Sequence, residues 1–153
     1  VTNYSIGQGE RRMIKELDIS RIDDIMKIWI EENINAHDFI SRDYWEKNYD
    51  YVKRVLPEAA IFVYEDNDEI KGFIGIIENS YIAGLFVSNK YQSNGVGGEL
   101  LKSCQQEYSI LELDVYAKNL KAVNFYKRHG FEIKQEKENE ETNEIEYSMV
   151  WNL

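Results

Sequence analysis

The sequence predicts a single α+β domain, because apolar residues recur with helical spacing in some segments and with strand spacing in others. Helical spacing dominates the first third of the chain, and short apolar or alternating runs follow one another through its middle. A glycine-rich loop, residues 92–98, joins one of these runs to a further helical segment. The predicted order of elements is β-α-α-β-β-β-α-β-α-β-β, in which strands run consecutively through the middle.

The domain is predicted to open with a short strand and two amphipathic helices. Residues 13–17 are strand-like, and Ser20 with Asp23 forms a capping signal for the first helix. The apolar positions of that helix fall at i, i+3, i+4, i+7 and i+8, and they are Ile22, Ile25, Met26, Trp29 and Ile30. The second helix is predicted to start at Ser41 and to end near Pro57. Its inward residues are Trp45, Tyr49, Val52 and Leu56.

Three strands are predicted to follow the second helix. Residues 60–65 and 70–77 are apolar runs, and the turn cluster at 66–68 between them indicates a hairpin. The apolar run at Tyr81–Val87 has the character of a buried strand and leads directly into the glycine-rich loop.

The second half of the chain is predicted to contain two helices and three strands. A helix over residues 95–107 has one apolar face, and residues 111–116 alternate as a strand with two distinct faces does. Asn119 is placed to cap a fourth helix that ends at Gly130. Residues 131–134 and 145–151 predict a terminal hairpin, and we expect its acidic connection, residues 135–146, to be a solvated loop.

Length and composition favour one domain. A chain of 153 residues can bury most of its apolar surface in one core, and no linker or internal repeat marks a boundary. Residues 1–12 show no clear hydrophobic period. We interpret them as a leader or upstream extension ahead of a natural start at Met13, and residues 13–153 as the domain.

Net charge and cysteine content exclude several classes of protein. The formal net charge of −10 argues against nucleic-acid binding and suits a cationic substrate such as an amine. No apolar run approaches the ~20 residues that a membrane span requires. The only cysteine, Cys104, permits neither an internal disulfide nor a cysteine-rich metal cluster. We therefore expect a cytoplasmic protein that needs no metal.

The glycine-rich loop is the most informative segment, because a strand, a loop and a helix start turn several backbone N–H groups toward one point. The helix dipole adds positive potential there, so the loop suits a phosphate or pyrophosphate. A P-loop would need Gly-Lys-Ser/Thr where the chain has Gly97-Gly98-Glu99. A Rossmann fingerprint that begins at Gly95 would need a third glycine where Leu100 stands. Both common nucleotide-binding motifs therefore fail at specific residues.

Two segments instead resemble the GNAT superfamily of N-acetyltransferases. The loop fits the pattern Gln/Arg-x-x-Gly-x-Gly/Ala, and the segment Asn119-x-x-Ala-x-x-Phe-Tyr-x-x-x-Gly-Phe131 matches the family's motif at every defining place. The stretch His-Asp-Phe-Ile-Ser at residues 37–41 is similar to one in a bacterial, small single-domain subgroup. The resemblance covers residues 13–153. It implies a three-layer fold with a mixed central sheet of about six or seven strands, about four flanking helices, and splayed fourth and fifth strands.

The resemblance also implies a cosubstrate, acetyl-coenzyme A. Backbone groups of Leu85, Phe86 and Val87 would hold its pantetheine arm, and a backbone N–H of the same strand would face the thioester oxygen. Asn119 matches a residue that contacts the arm, although a helix cap explains it equally well. The loop residues implied in binding the pyrophosphate are Gln92, Ser93, Asn94, Gly95, Val96, Gly97 and Gly98.

Two positions depart from the family's pattern. Proline is frequent where Asn89 stands, and arginine is frequent where Gln92 stands. Glutamine is an accepted variant, but it removes one cation from the phosphate site.

Tyr126 is the candidate general acid and also part of the expected coenzyme site. By resemblance, its hydroxyl points at the thioester sulfur, and a phenol with a pKa near ~10 can protonate a thiolate whose own pKa lies near ~8.5. Packing on the fourth helix is the alternative role. The general base is open between Glu78, at the end of a central strand, and His37, beside the expected substrate entrance. For each of the two, the ordinary explanation is favoured over the base role: a solvated strand end for Glu78 and a loop residue for His37.

The sequence thus predicts an N-acetyltransferase that moves an acetyl group from acetyl-coenzyme A to a primary amine by direct attack in a ternary complex, since no activated nucleophile is evident. The acceptor is a small-molecule amine, or a lysine or N-terminus of a protein. The alternatives are a catalytically inactive regulatory module that binds coenzyme A, and an interaction domain with no nucleotide ligand. Neither nucleic acid nor a membrane is an expected partner, and we expect a monomer or a homodimer.

Overall fold

The computed structural model describes residues 13–78 and 80–153, and the leader predicted at residues 1–12 lies outside the described residues. The helices are α1 (Ile22–Ala36), α2 (Arg42–Val55), α3 (Val96–Glu107) and α4 (Leu120–Arg128). The strands are β1 (Ile14–Glu16), β2 (Ala60–Asp66), β3 (Glu69–Ile77), β4 (Tyr81–Val87), β5 (Ile110–Tyr116), β6 (Glu132–Glu138) and β7 (Ile145–Asn152). This order confirms the predicted succession of helices and strands.

Side-chain caps fix the starts of α2 and α4. The Ser41 hydroxyl accepts a hydrogen bond from the Asp43 N–H at 3.1 Å. The Asn119 carboxamide oxygen accepts one from the Ala122 N–H at 3.2 Å. Each cap satisfies an N–H group that has no partner inside its helix, and both confirm the predicted starts.

The start of α1 differs from the prediction. Ser20 does not cap the helix, because the Asp18 carboxylate accepts from the Ser20 N–H at 3.0 Å and begins a 3-10 turn at Ile19–Arg21. That turn leads directly into α1. The predicted apolar face is nevertheless correct, since Ile25 and Met26 are fully buried.

One sheet of seven strands, in the order β1-β2-β3-β4-β5-β7-β6, forms the middle layer. β4 and β5 are parallel, and all other neighbours are antiparallel. The prediction of a solvated loop at 135–146 is wrong in its first part, because β6 continues to Glu138. Every residue of β6 is exposed, so no apolar alternation marks this charged edge strand in the sequence.

The parallel strands β4 and β5 part almost at once. Tyr81 and Glu112 are their only paired position. Directly after that pair, the register of β4 against β3 shifts and leaves Ala83 unpaired. Such a bulge bends its strand and increases the local twist, which accounts for the divergence of β4 from β5. The gap opens toward the carboxyl ends of both strands and confirms the predicted splay.

Helices cover both faces of the sheet, so the fold has the three predicted layers. α3 and α4 pack on one face around a cluster whose fully buried members include Leu100, Leu101, Leu111 and Met149. α1 and α2 pack on the other face around Ile25, Met26, Val63 and Phe73. Within the described residues, no helix has the length and apolar character needed to cross a membrane.

Candidate functional site

The glycine loop presents backbone N–H groups at the start of α3. Gly95 has a φ of +84°, in the left-handed region that favours glycine, and no side chain caps the helix that follows. In the described part of the chain, no hydrogen-bond acceptor is present for the N–H groups of Gly95, Val96, Gly97 and Gly98. These groups and the helix dipole together fit a diphosphate.

Gln92, the first residue of this loop, is anchored to α1. Its Nε2 donates hydrogen bonds to the Glu32 carboxylate and to the Val87 carbonyl, both at 3.0 Å. The same carboxylate accepts from the Asn89 N–H at 2.9 Å. Glu32 is only 5% exposed, and burial raises its pKa. Glu32 was not predicted as a site residue, although its position three residues after Trp29 puts it on the apolar face of α1.

The carboxyl end of β4 borders the gap. Leu85 and Val87 pack against the cluster under α3 and α4, and Phe86 packs against the cluster under α1 and α2. Among the described residues, no strand pairs with the β5-facing edge of β4 beyond Tyr81. The side chains therefore belong to the core, and the role of the backbone edge in binding the pantetheine arm stays a prediction.

Tyr126 lies on α4, in the same core cluster that Leu85 and Val87 contact. Its ring packs edge-on against the rings of Phe125 and Phe131, with centroid distances of 5.3 Å and 5.4 Å, and the side chain is 8% exposed. Burial raises the pKa of its hydroxyl. Nothing in the described residues hydrogen-bonds to that hydroxyl. The ring packs in the core, and the role of Tyr126 as the general acid stays a prediction.

His37 and Asn119 are joined across the site. The His37 Nδ1–H donates to the Asn33 carbonyl at 3.0 Å, and its Nε2 accepts from the Asn119 amide at 3.1 Å. This pattern requires the neutral Nδ1–H tautomer, because a carbonyl only accepts and an amide nitrogen only donates. His37 is 7% exposed, and burial lowers its pKa. Both ring nitrogens already have partners, and the role of His37 as a general base stays a prediction.

The pKa of His37 has a measurable consequence. Since the folded-state pKa lies below the unfolded value of about 6.5, the unfolded chain binds more protons in that window. As the pH is lowered from about 6.5 toward the folded-state pKa, the unfolding free energy should therefore fall by up to about 1.4 kcal/mol per pH unit. Urea unfolding of wild type and His37→Phe at about pH 7 and about pH 5.5 measures this loss. If the unfolding free energy falls equally in both proteins, the pKa of His37 is not lowered in the folded state.

Glu78 lies at the opposite end of β4 from the glycine-rich loop. It occupies the turn between β3 and β4, is exposed, and has a φ of +52°. That turn is at the end of β4 where β4 and β5 pair. The length of β4, about 20 Å at 3.3 Å per residue, separates it from Val87. Among the described residues, no hydrogen bond or ion pair joins Glu78 to another site residue, and its role as the base stays a prediction.

A further polar cluster spans the strands on the α1 and α2 side of the sheet. The Asp114 carboxylate accepts from the Tyr81 hydroxyl at 2.7 Å, the Ser148 hydroxyl at 2.6 Å and the Lys137 ammonium at 3.1 Å. These three donors come from β4, β7 and β6. Asp114 thus ties together four strands of the sheet, and it was not predicted because it looks like any polar residue of an alternating strand.

Two parallel strands that part beside a glycine loop at a helix start define the class of acyltransferases that the resemblance predicted. Residues 30–152 match the family model described as an acetyltransferase (GNAT) domain. The chain therefore belongs to the GNAT acetyltransferase family, and the predicted family, fold and enzyme class are confirmed.

The relatives are bacterial acetyltransferases. The chain is 34% identical over 140 residues to the peptidyl-lysine N-acetyltransferase YiaC of Escherichia coli (strain K12), an alignment that covers 91% of this chain and 96% of that protein. It is 30% identical over 112 residues to the peptidyl-lysine N-acetyltransferase YjaB of the same strain, which covers 72% and 76% of the two chains.

Solved structures share the fold. The solution structure of apo YjaB from Escherichia coli superposes with a TM-score of 0.79 at 24% identity, over 90% of this chain and 95% of that chain. The PaiA N-acetyltransferase of Thermoplasma acidophilum, solved in complex with coenzyme A, superposes with a TM-score of 0.75 at 18% identity, over 92% and 98% of the chains.

Proposed function

We propose that this acetyltransferase moves an acetyl group from acetyl-coenzyme A to the side-chain amine of a lysine in a protein or peptide, by direct attack in a ternary complex. The observation that carries the proposal is the parting of β4 from β5 beside the free N–H groups of the Gly95 loop. Gap and loop match the two halves of the coenzyme, an extended arm and a diphosphate. The lysine acceptor is supported by YiaC and YjaB, whose names specify peptidyl-lysine.

In this mechanism the chain positions the thioester and stabilises the charge that develops on it. Backbone groups of residues 85–87 pair with the pantetheine arm, and a β4 N–H faces the thioester oxygen as the amine attacks. The new C–N bond forms, the C–S bond breaks, and the amine nitrogen loses a proton to a base. Tyr126 then donates its hydroxyl proton to the departing thiolate.

The buried cysteine supports direct attack rather than a covalent enzyme intermediate. Cys104 lies fully within the cluster under α3 and α4, and burial raises the pKa of its thiol to about 12. A thiol with such a pKa stays protonated near neutral pH and is a poor nucleophile. The single cysteine also supports a cytoplasmic location.

The proposed acceptor site lies on the α1 and α2 side of the gap. There the rings of Tyr116, His37 and Phe39 form an aromatic cluster at the carboxyl end of β5. The Tyr116 ring contacts the rings of His37 at 5.1 Å and Phe39 at 5.7 Å. The loop between β6 and β7 reaches over to α2, because the Tyr44 hydroxyl donates to Glu141 at 2.8 Å. Aromatic side chains of this kind can pack against the methylene chain of a lysine.

Three carboxylates, those of Glu141, Glu144 and Glu146, lie near Tyr116 in this aromatic cluster. Glu146 is the cross-strand neighbour of Tyr116, and burial raises the pKa of Glu146. Glu144 pairs with Lys118 at 3.1 Å near the carboxyl end of β5. Since Lys118 pairs with Glu144, the carboxylates of Glu146 and Glu141 supply the negative potential that would attract an amine arriving as an ammonium ion.

The proposal is tested by measuring coenzyme binding and turnover separately. Saturating acetyl-coenzyme A should raise the melting temperature, by the mass-action relation for a ligand of the folded state. Release of free thiol should then be followed with lysine-containing peptides, with the same peptides acetylated at the lysine as the control, and with small amines.

Each outcome separates one alternative. Thiol release with free-lysine peptides only is the expected result. Release with small amines only would replace the peptide acceptor by a metabolite. Stabilisation without release for any acceptor would favour a regulatory module, and no stabilisation would contradict coenzyme binding itself.

A further inference from the structure

Lys121 lies beside the glycine-rich loop, and among the described residues it has no acidic partner. It is exposed near the start of α4, and its Nζ donates a hydrogen bond to the Gln92 Oε1 at 3.0 Å. No carboxylate of the described residues forms an ion pair with it. Two other lysines of this region do form ion pairs with carboxylates, Lys90 with Glu69 at 3.0 Å and Lys71 with Asp66 at 3.5 Å.

The orientation of Gln92 explains why the lysine is held there. The Gln92 Nε2 donates to the Glu32 carboxylate and the Val87 carbonyl, and both groups can only accept. The amide oxygen must therefore point away from them, and Lys121 donates to that oxygen. The buried carboxylate on α1 thus orients the glutamine, and the glutamine places an ammonium group next to the loop.

We propose that Lys121 binds a phosphate group of the coenzyme and supplies from α4 the positive charge that Gln92 does not carry. The inference rests on the proposed coenzyme site and adds a residue to it. An ammonium group forms charge-assisted hydrogen bonds with phosphate oxygens, whereas the Gln92 oxygen offers it only a neutral acceptor. The charge matters in this chain, because its formal net charge is −10 and Glu99 stands in the first turn of α3.

The decisive variant is Lys121→Met, which keeps the length and apolar stem of the side chain and removes the charge. The Kd for coenzyme A, measured by calorimetry, should rise about tenfold, while Lys121→Arg should stay within about threefold of wild type. The increase of Kd with salt should also be less steep in Lys121→Met, since one ionic contact is gone. Lys134→Met removes an exposed lysine of β6, and its Kd should equal that of wild type.

A second donor separates phosphate binding from other effects. S-acetylpantetheine carries the reactive arm without any phosphate, so its kcat/KM should be the same in wild type and Lys121→Met. An equal loss with both donors would overturn the phosphate assignment, as would a Kd for coenzyme A that is unchanged in Lys121→Met. Failure of wild type to bind coenzyme A would instead contradict the proposed function as well.

Discussion

Replacing Tyr126 by phenylalanine is expected to lower kcat about a hundredfold or more, while the Kd for coenzyme A stays within about twofold of wild type. The variant removes one oxygen and keeps the ring that packs against Phe125 and Phe131. Because the hydroxyl has no hydrogen-bond partner in the described residues, folding stability should change little. Steady-state kinetics with a thiol readout and calorimetry on the same preparation measure the two quantities.

The expected effect depends on the protonation state of the tyrosine. Burial raises the pKa of Tyr126, so the phenol keeps its proton throughout the pH range in which the amine reacts. Since the thiol, with a pKa near ~8.5, is the stronger acid, the phenol acts by donating a hydrogen bond to the charge that develops on sulfur, and the proton moves as the C–S bond breaks.

A second tyrosine of the same core cluster provides the control. Tyr108 is half-buried against the cluster that contains Tyr126, and its hydroxyl also has no described partner. Tyr108→Phe should keep wild-type kcat. If Tyr126→Phe and Tyr108→Phe have the same kcat, the hydroxyl of Tyr126 is not the acid and its role is packing.

Local patterns predicted the succession of elements because each element carries its own signal. α2 has a serine cap and an inward tryptophan, Trp45, and β4 is an apolar run followed by a glycine loop. β6 carries no such signal, since its seven residues are all exposed and it is held by pairing with β7. The splay followed only from the family resemblance, because the bulge at Ala83 depends on the register between two strands.

The polar contacts of the site could not be predicted, because they join residues far apart in the chain. His37 and Asn119 are 82 positions apart, and Glu32 and Gln92 are 60 positions apart. Each of these residues has an ordinary local explanation, as a loop residue, a helix cap, a helix glutamate or a loop amide. Only the packing of α1 against the carboxyl end of β4 brings Glu32 within hydrogen-bond distance of Gln92.

Gly72→Ala is expected to destabilise the protein by about 1–3 kcal/mol and to raise the Kd for coenzyme A about tenfold or more. Gly72 lies on β3 opposite Val87, the last residue of β4. A Cβ at this position would lie 2.8 Å from the Phe86 carbonyl oxygen and 3.1 Å from the Val96 Cγ1. Backbone cannot yield as a side chain does, so the carboxyl end of β4 must move relative to β3. That end is the strand edge proposed to hold the pantetheine arm.

The same strand contains the matched control for this prediction. A Cβ at Gly75 would find its nearest neighbours, Ala59 and Leu56, at 3.8 Å, which is ordinary van der Waals contact. Gly75→Ala should therefore unfold at the same or slightly higher urea concentration than wild type, because alanine loses less backbone entropy on folding. Coenzyme affinity should also be unchanged. If Gly72→Ala binds coenzyme A as tightly as Gly75→Ala does, then the position of Phe86 does not control the site, and the arm must bind elsewhere than along β4.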